Sequence, residues 1–214
     1  MILGKQSHIF TYEAAGAVTY GGVQPNTLAV QRDGTLDLDE IRAAIRVENV
    51  HFPKTRLICL ENTQGSIGGI PVPQSYISDV AAIARANDLK LHIDGARIFN
   101  AATALNTTVK DLTADADSVQ FCFSKGLCAP VGSMIVGSRD FIDRAYRIRK
   151  SLGGGMRQVG VLAAACLISL RTMTQRLHED HANARALAEG LASLPYFHID
   201  LDMIQTNLIF ASLS

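Results

Sequence analysis

The sequence predicts an α/β fold with a mainly parallel sheet, because apolar strands, polar turns and amphipathic helices alternate along the chain. Strands are predicted at residues 56–60, 89–94 and 118–123, and each ends in polar residues. Those endings are Glu61, Asn62, Thr63, Asp94, Ser124 and Lys125. In open α/β sheets, ligands bind beyond the carboxyl ends of the strands. We therefore expect the endings to face one crevice.

A crossover helix is predicted between the first two strands, with Ser75 as the candidate N-cap. Its buried face is expected to carry apolar residues at the i, i+3, i+4, i+7 spacing. These residues are Ile77, Val80, Ala81 and Ala84. Further along, residues 132–137 predict a strand and residues 144–150 a basic helix. This order continues the α/β pattern.

The glycine run at residues 153–155 is a candidate hinge. Residues 158–194 are rich in Ala and Leu and predict one long helix or two, ended by Pro195. Residues 197–210 predict one or two strands of a second domain. The predicted organisation is a large domain at 1–155, linking helices at 156–194 and the start of a small C-terminal α+β domain at 195–214.

Composition narrows the function classes. The chain has 214 residues, of which 48% are hydrophobic, and its 20 basic and 20 acidic residues cancel, which argues against disorder and against nucleic acid as a partner. The cysteines lack CxxC spacing and are interpreted as reduced core thiols of a cytoplasmic protein. They are Cys59, Cys122, Cys128 and Cys166. The longest apolar run, residues 159–170, is too short to span a membrane.

Lys125 and Asp94 are the main candidates for chemistry. Lys125 follows a predicted buried strand and precedes Gly126, where another group can approach the backbone closely. A partly desolvated amine there can form a Schiff base with an aldehyde, and the ordinary alternative is a lysine in water. Asp94 can pair with a pyridinium nitrogen. Arg97 can hold a carboxylate through two parallel hydrogen bonds, or it can form a salt bridge with Asp94.

The order of these residues at two successive strand ends is rarer than either motif alone, and it belongs to a wider set of motifs. The motifs are Gln6-Ser7-His8, Tyr12 to Ala17, Leu60-Glu61-Asn62-Thr63, His92 to Asn100, Ser124-Lys125-Gly126-Leu127, Pro130-Val131-Gly132-Ser133, Gly153 to Gln158, Glu179-Asp180-His181 and Thr206-Asn207. Through them the sequence resembles the low-specificity threonine aldolases. These lie within the aromatic amino-acid β-eliminating lyase and threonine aldolase group of fold-type I enzymes, which use pyridoxal 5'-phosphate (PLP).

The resemblance implies a PLP-binding large domain of the fold-type I transferase-like class and a role for each matching residue. Lys125 matches the catalytic lysine that carries PLP as a Schiff base, and Asp94 matches the partner of the pyridine nitrogen. His8 matches an imidazole that stacks on the ring and handles the substrate proton, the alternative being a histidine in an ordinary turn. Arg97 matches the ligand of the substrate carboxylate, and Arg157 an arginine near the cofactor phosphate.

The implied reaction is retro-aldol cleavage of a β-hydroxy amino acid, threonine or allo-threonine, to glycine and an aldehyde. Gln64 stands where many members of the family carry a histidine that contacts the β-hydroxyl. Glutamine can hydrogen-bond this hydroxyl but cannot accept its proton, so the preferred substrate stays open. The alternatives within enzymes are β-elimination and transamination.

The resemblance also bears on extent and assembly. Chains of the family begin before Met1, with a glycine-rich turn that binds the phosphate, and extend beyond Ser214. We therefore expect a piece of a longer protein, with a non-catalytic fragment as the alternative. Related enzymes build each site from two subunits, which implies a homodimer or homotetramer for the complete protein. No metal is expected, because residues 178–181 are interpreted as a solvated helix face.

Overall fold

The computed structural model describes residues 1–213. Its strands are β1 (Ile2–Gly4), β2 (Asn26–Leu28), β3 (Leu57–Glu61), β4 (Lys90–Asp94), β5 (Ser118–Cys122), β6 (Ser133–Gly137), β7 (Phe197–His198) and β8 (Ser212–Leu213). Its α-helices are α1 (His8–Thr11), α2 (Gly16–Thr19), α3 (Leu38–Ala44), α4 (Gln74–Ala86), α5 (Ile98–Ala104), α6 (Val109–Leu112), α7 (Arg139–Ser151), α8 (Gly160–Thr172) and α9 (Leu177–Ala192).

The main sheet has the strand order β2-β1-β3-β4-β5-β6. Only the β5–β6 pair in it is antiparallel, so the prediction of a mainly parallel α/β fold is confirmed. Parallel strands covered on both faces are apolar throughout, and here Ile58, Leu91 and Ile93 are at most 1% exposed. The core therefore lies along β3 and β4, whose ends carry the candidate residues.

The predicted strands match β3, β4, β5 and β6 to within one residue at each end. The short strands β1 and β2 were not predicted. Each has three residues, which is too few for a hydrophobic pattern to identify. Ile2 and Leu3 are nonetheless buried, because β1 pairs in parallel with β2 on one side and with β3 on the other.

Helix α4 buries the predicted face, including Ile77 and Val80. The N-cap assignment was wrong, because Pro73 occupies the cap position and Ser75 lies inside the helix. The Asn62 side chain explains this start. It pairs with both backbone groups of Val72, at 2.9 and 3.0 Å, and so fixes the chain two residues before the helix begins.

The region after the glycine run forms two helices, α8 and α9, joined by a 3₁₀ turn at Met173–Gln175. The strand prediction for residues 197–210 was largely wrong, because β7 has only two residues and pairs with β8 beyond that range. Between them, Thr206 donates a hydrogen bond to the Gly69 carbonyl at 2.7 Å. This contact holds the segment against the loop after β3 instead of in a sheet. The domain boundaries stay a prediction.

Two further sequence expectations concern the cysteines and the membrane. All four thiols are free, but only Cys59 is buried, so the interpretation as core thiols was wrong for Cys128. Cys128 is exposed because it lies in the tight turn after Lys125, at φ 58°. Within the described residues, no helix is long and apolar enough to cross a membrane.

Candidate active site

A cavity of about 330 Å³ opens at the carboxyl ends of β3, β4 and β5. It is lined by His8, Tyr12, Glu13, Glu61, Thr63, Gly65, Ser66, Asp94, Ala96, Arg97, Gln120, Cys122, Lys125, Leu208 and Phe210. Four of the predicted site residues therefore meet in one place: His8, Asp94, Arg97 and Lys125. Two others, Gln64 and Arg157, are not among the residues that line it.

Asp94 ends β4 and is 8% exposed. Within the described chain its carboxylate accepts one hydrogen bond, from the backbone N–H of Ala96 at 3.3 Å. Burial raises the pKa of Asp94, while nearby His92 and Lys125 act in the opposite direction. A buried carboxylate with so few partners has acceptor capacity left for a cationic or N–H group of a ligand.

Lys125 is half-buried in the turn after β5. The turn is closed by the N–H of Cys128, which donates to the Lys125 carbonyl at 2.9 Å. Gly126 packs so tightly that an added Cβ would lie 3.1 Å from both Leu177 and the Asn100 side chain. Helices α5 and α9 therefore fix the backbone that carries Lys125.

Arg97 occupies the N-cap position of α5, and it is half-buried. No ion pair joins it to Asp94, so the alternative of a salt bridge between the two was wrong. Asp94 is the last residue of β4, whereas Arg97 is the N-cap residue of α5, so the two side chains start from different elements. The guanidinium lines the cavity and is available to an anionic ligand.

His8 is the first residue of α1, and its side chain is 48% exposed. Its Nδ1 lies 2.8 Å from Oε1 of Glu13. The ring packs at an angle of 46° against Tyr12, with centroids 5.2 Å apart. His8 lines the cavity and its ring contacts a carboxylate, while its predicted role toward cofactor and substrate stays a prediction.

Glu61 received no role from the sequence, although it is one of the predicted polar strand endings. It is 9% exposed and lies beside Asp94 in the β3–β4 register. Its two carboxylate oxygens accept the backbone N–H groups of His8 at 2.7 Å and Gly65 at 2.9 Å. Burial raises the pKa of Glu61 despite these contacts. One carboxylate thus joins the start of α1 to the loop after β3, both of which border the cavity.

Gln64 and Arg157 lie outside this group. Gln64 is 1% exposed, and its Nε2 is 3.5 Å from Oε2 of Glu61, a weak contact. Arg157 is exposed in the loop between α7 and α8. Their predicted roles toward substrate and phosphate stay predictions.

The acidic and histidine residues 178–181 lie on α9. They are not wholly a solvated face, because His181 is hydrogen-bonded to Asn100 at 3.0 Å across the α5–α9 contact. Glu179 pairs with Arg176 at the surface. Among residues 1–213, no group of three or more His, Cys, Asp or Glu side chains is arranged to hold a metal ion.

Comparison with solved structures identifies the fold. A threonine aldolase of Leishmania major superimposes with a TM-score of 0.75 at 20% identity, over 92% of this chain and 58% of that one. At that identity the likeness concerns the fold alone. The fold is the α/β fold-type I class that the sequence resemblance implied.

Sequence comparison identifies the family. A family model described as beta-eliminating lyase matches residues 1–214, and the chain belongs to that family. Low-specificity L-threonine aldolase 1 of Arabidopsis thaliana is 50% identical over 98% of this chain and 59% of its own length. The low specificity L-threonine aldolase of Escherichia coli K12 is 43% identical over 98% of this chain and 61% of its own length. The chain thus spans about 60% of the length of these relatives.

Proposed function

We propose that this site binds PLP and that the protein cleaves a β-hydroxy amino acid, threonine or allo-threonine, to glycine and an aldehyde. The observation that carries the proposal is the single cavity shared by the Lys125 amine, the Asp94 carboxylate, the Arg97 guanidinium and the His8 imidazole. The threonine aldolases among the relatives support the choice of substrate class.

The residues present fit the cofactor. Asp94 offers a buried carboxylate with free acceptor capacity, which suits a protonated pyridine nitrogen. Lys125 offers a primary amine on a turn fixed by two helices, which suits attachment to an aldehyde. When bound, PLP supplies an electron sink for the pair released as the Cα–Cβ bond breaks.

The protein side chains bind the substrate and move its proton. Arg97 binds the carboxylate, which orients the Cα–Cβ bond. Glu13 accepts the Nδ1 hydrogen of His8, and this tautomer leaves Nε2 free to accept the β-hydroxyl proton, directly or through a water. Gln64 is assigned to the β-hydroxyl of the substrate by resemblance alone. Its amide nitrogen contacts the carboxylate of Glu61, which lines the cavity.

The assignments of Arg157 to the cofactor phosphate and of a homodimer or homotetramer to the complete protein are also proposals. Met134, Ile135 and Val136 expose apolar side chains on the edge strand β6, which favours an assembly because an exposed apolar edge readily pairs with another chain. Light scattering on the purified protein measures the subunit number.

A cytoplasmic location is proposed from the free thiols.

The first test mixes the purified chain with PLP and records the absorbance of the lysine-bound cofactor, then adds borohydride. Lys125→Ala should abolish the reducible adduct, whereas the exposed Lys110→Ala should retain it. An adduct that persists in Lys125→Ala would show that the assigned lysine is wrong. Product analysis with threonine then decides the reaction class. Glycine plus acetaldehyde supports the aldolase, whereas a keto acid with free ammonia indicates β-elimination. A keto acid formed without free ammonia, its amino group having passed to an added keto-acid acceptor, indicates transamination.

A further inference from the structure

Thr63 presents a buried hydroxyl without a partner at the wall of the candidate site. The residue is 3% exposed and lines the cavity. Its Oγ1 makes no hydrogen bond within residues 1–213. Buried polar groups in native proteins are nearly always paired, so an unpaired hydroxyl at a cavity points to a group that a ligand supplies.

Other buried threonines use their hydroxyls. Thr206 donates to the Gly69 carbonyl at 2.7 Å, and Thr55 accepts the backbone N–H of Arg46 at 3.1 Å. Asn62, which precedes Thr63, pairs both polar atoms of its side chain with Val72. Among residues 1–213, three buried side-chain oxygens lack a hydrogen-bond partner, those of Thr63, Gln64 and Asn207, and of these residues only Thr63 lines the cavity.

We propose that Thr63 is a further cofactor-binding residue, whose hydroxyl hydrogen-bonds the phenolic oxygen of bound PLP. The inference rests on the proposed function. The choice of the phenolic oxygen follows from the chemistry of the cofactor, because Asp94 is assigned to the ring nitrogen and Lys125 to the aldehyde carbon. The phosphate group of the cofactor is best bound by cationic side chains or by several backbone N–H groups, not by one neutral hydroxyl. The phenolic oxygen is the remaining polar group, and a neutral hydroxyl can donate to it or accept from it.

The position of Thr63 in the sheet agrees with this role. It lies two residues beyond Glu61, which stands beside Asp94 in the register of β3 and β4. The loop that follows Glu61 therefore lines the same cavity as Asp94, which would hold the ring nitrogen of the cofactor. Glu61 also fixes the Gly65 end of this loop, so Thr63 is held between two anchored positions.

The test compares Thr63→Val, which keeps the shape and removes the hydroxyl, with Thr63→Ser, which keeps the hydroxyl. Thr55→Val is the matched control, because its buried hydroxyl is paired and lies at the opposite end of β3. For each protein, chemical unfolding without cofactor measures stability, and titration with PLP measures Kd and the absorbance maximum. Thr63→Ala is a second variant without the hydroxyl, in case the valine protein does not fold.

Thr63→Val is expected to be at least as stable as the wild type without cofactor, because no hydrogen bond is lost. Its Kd for PLP should rise about tenfold, with a shifted absorbance maximum, as for the loss of one hydrogen bond. Thr63→Ser should bind within about twofold of the wild type. Thr55→Val should be less stable and bind PLP with unchanged affinity.

Three outcomes would overturn the inference. The first is an unchanged Kd in Thr63→Val while the wild type binds PLP, which leaves the proposed function intact. A higher KM for threonine with an unchanged Kd for PLP would move the hydroxyl to the substrate and refute the cofactor assignment. A wild-type chain that forms no lysine-bound cofactor would overturn the proposed function and this inference together.

Discussion

Gly69→Ala should be strongly destabilising, because the loop after β3 meets the C-terminal segment there. Gly69 has φ +73°, a left-handed conformation that costs an alanine about 1–2 kcal/mol. The new Cβ would lie 2.7 Å from Oγ1 of Thr206 and 3.0 Å from Leu208, and relieving such overpacking costs about 1–3 kcal/mol. The free energy of unfolding should therefore fall by about 2–5 kcal/mol.

Urea unfolding followed by circular dichroism measures this loss, and two other glycines separate its causes. Gly22 has φ +59° with no atom within 4 Å of an added Cβ, so Gly22→Ala should show the backbone strain alone, about 1–2 kcal/mol. Gly190 lies inside α9 with equally open space, so Gly190→Ala should stabilise by up to about 1 kcal/mol. A Gly69→Ala protein no less stable than Gly22→Ala would refute the crowding argument.

Three further predictions concern the loop after β3 and the cavity. Asn62→Ala leaves both buried backbone groups of Val72 unpaired and should cost about 2–4 kcal/mol in urea unfolding; an effect below about 1 kcal/mol would contradict it. Burial raises the pKa of Glu61 in the folded protein. The contribution of Glu61 to the free energy of unfolding is therefore fully present below the ordinary carboxyl pKa, and it is lost as the pH rises through the raised pKa. The stability difference, wild type minus Glu61→Gln, should therefore decrease across that pH window, and parallel pH curves would refute this. Asp94→Asn should weaken PLP binding by about tenfold or more in an absorbance titration, since an amide cannot form the charge-assisted bond; unchanged affinity would exclude Asp94 as the ring partner.

The fold class could be predicted because its physical causes are local. Strands β3, β4 and β5 are apolar runs bounded by polar residues, and the face of α4 follows a helical period. Strands β1 and β2 could not be predicted, since their three-residue segments are strands only through pairing with partners far along the chain. The segment between β7 and β8 was misassigned for a related reason, because Thr206 binds the distant Gly69 carbonyl.

The sequence by itself determined which residue types end the central strands, and hence that Asp94 and Lys125 lie at one edge of the sheet. Motif order added Arg97, and the resemblance to the threonine aldolases added His8. Only the tertiary structure decided that Glu61 joins the start of α1 to the loop after β3, that Gln64 is buried, and that the hydroxyl of Thr63 is unpaired. The physical reason is that strand ends and helix periods depend on neighbours along the chain. The partner of a buried polar atom depends on which distant backbone groups the folded chain brings within hydrogen-bond distance.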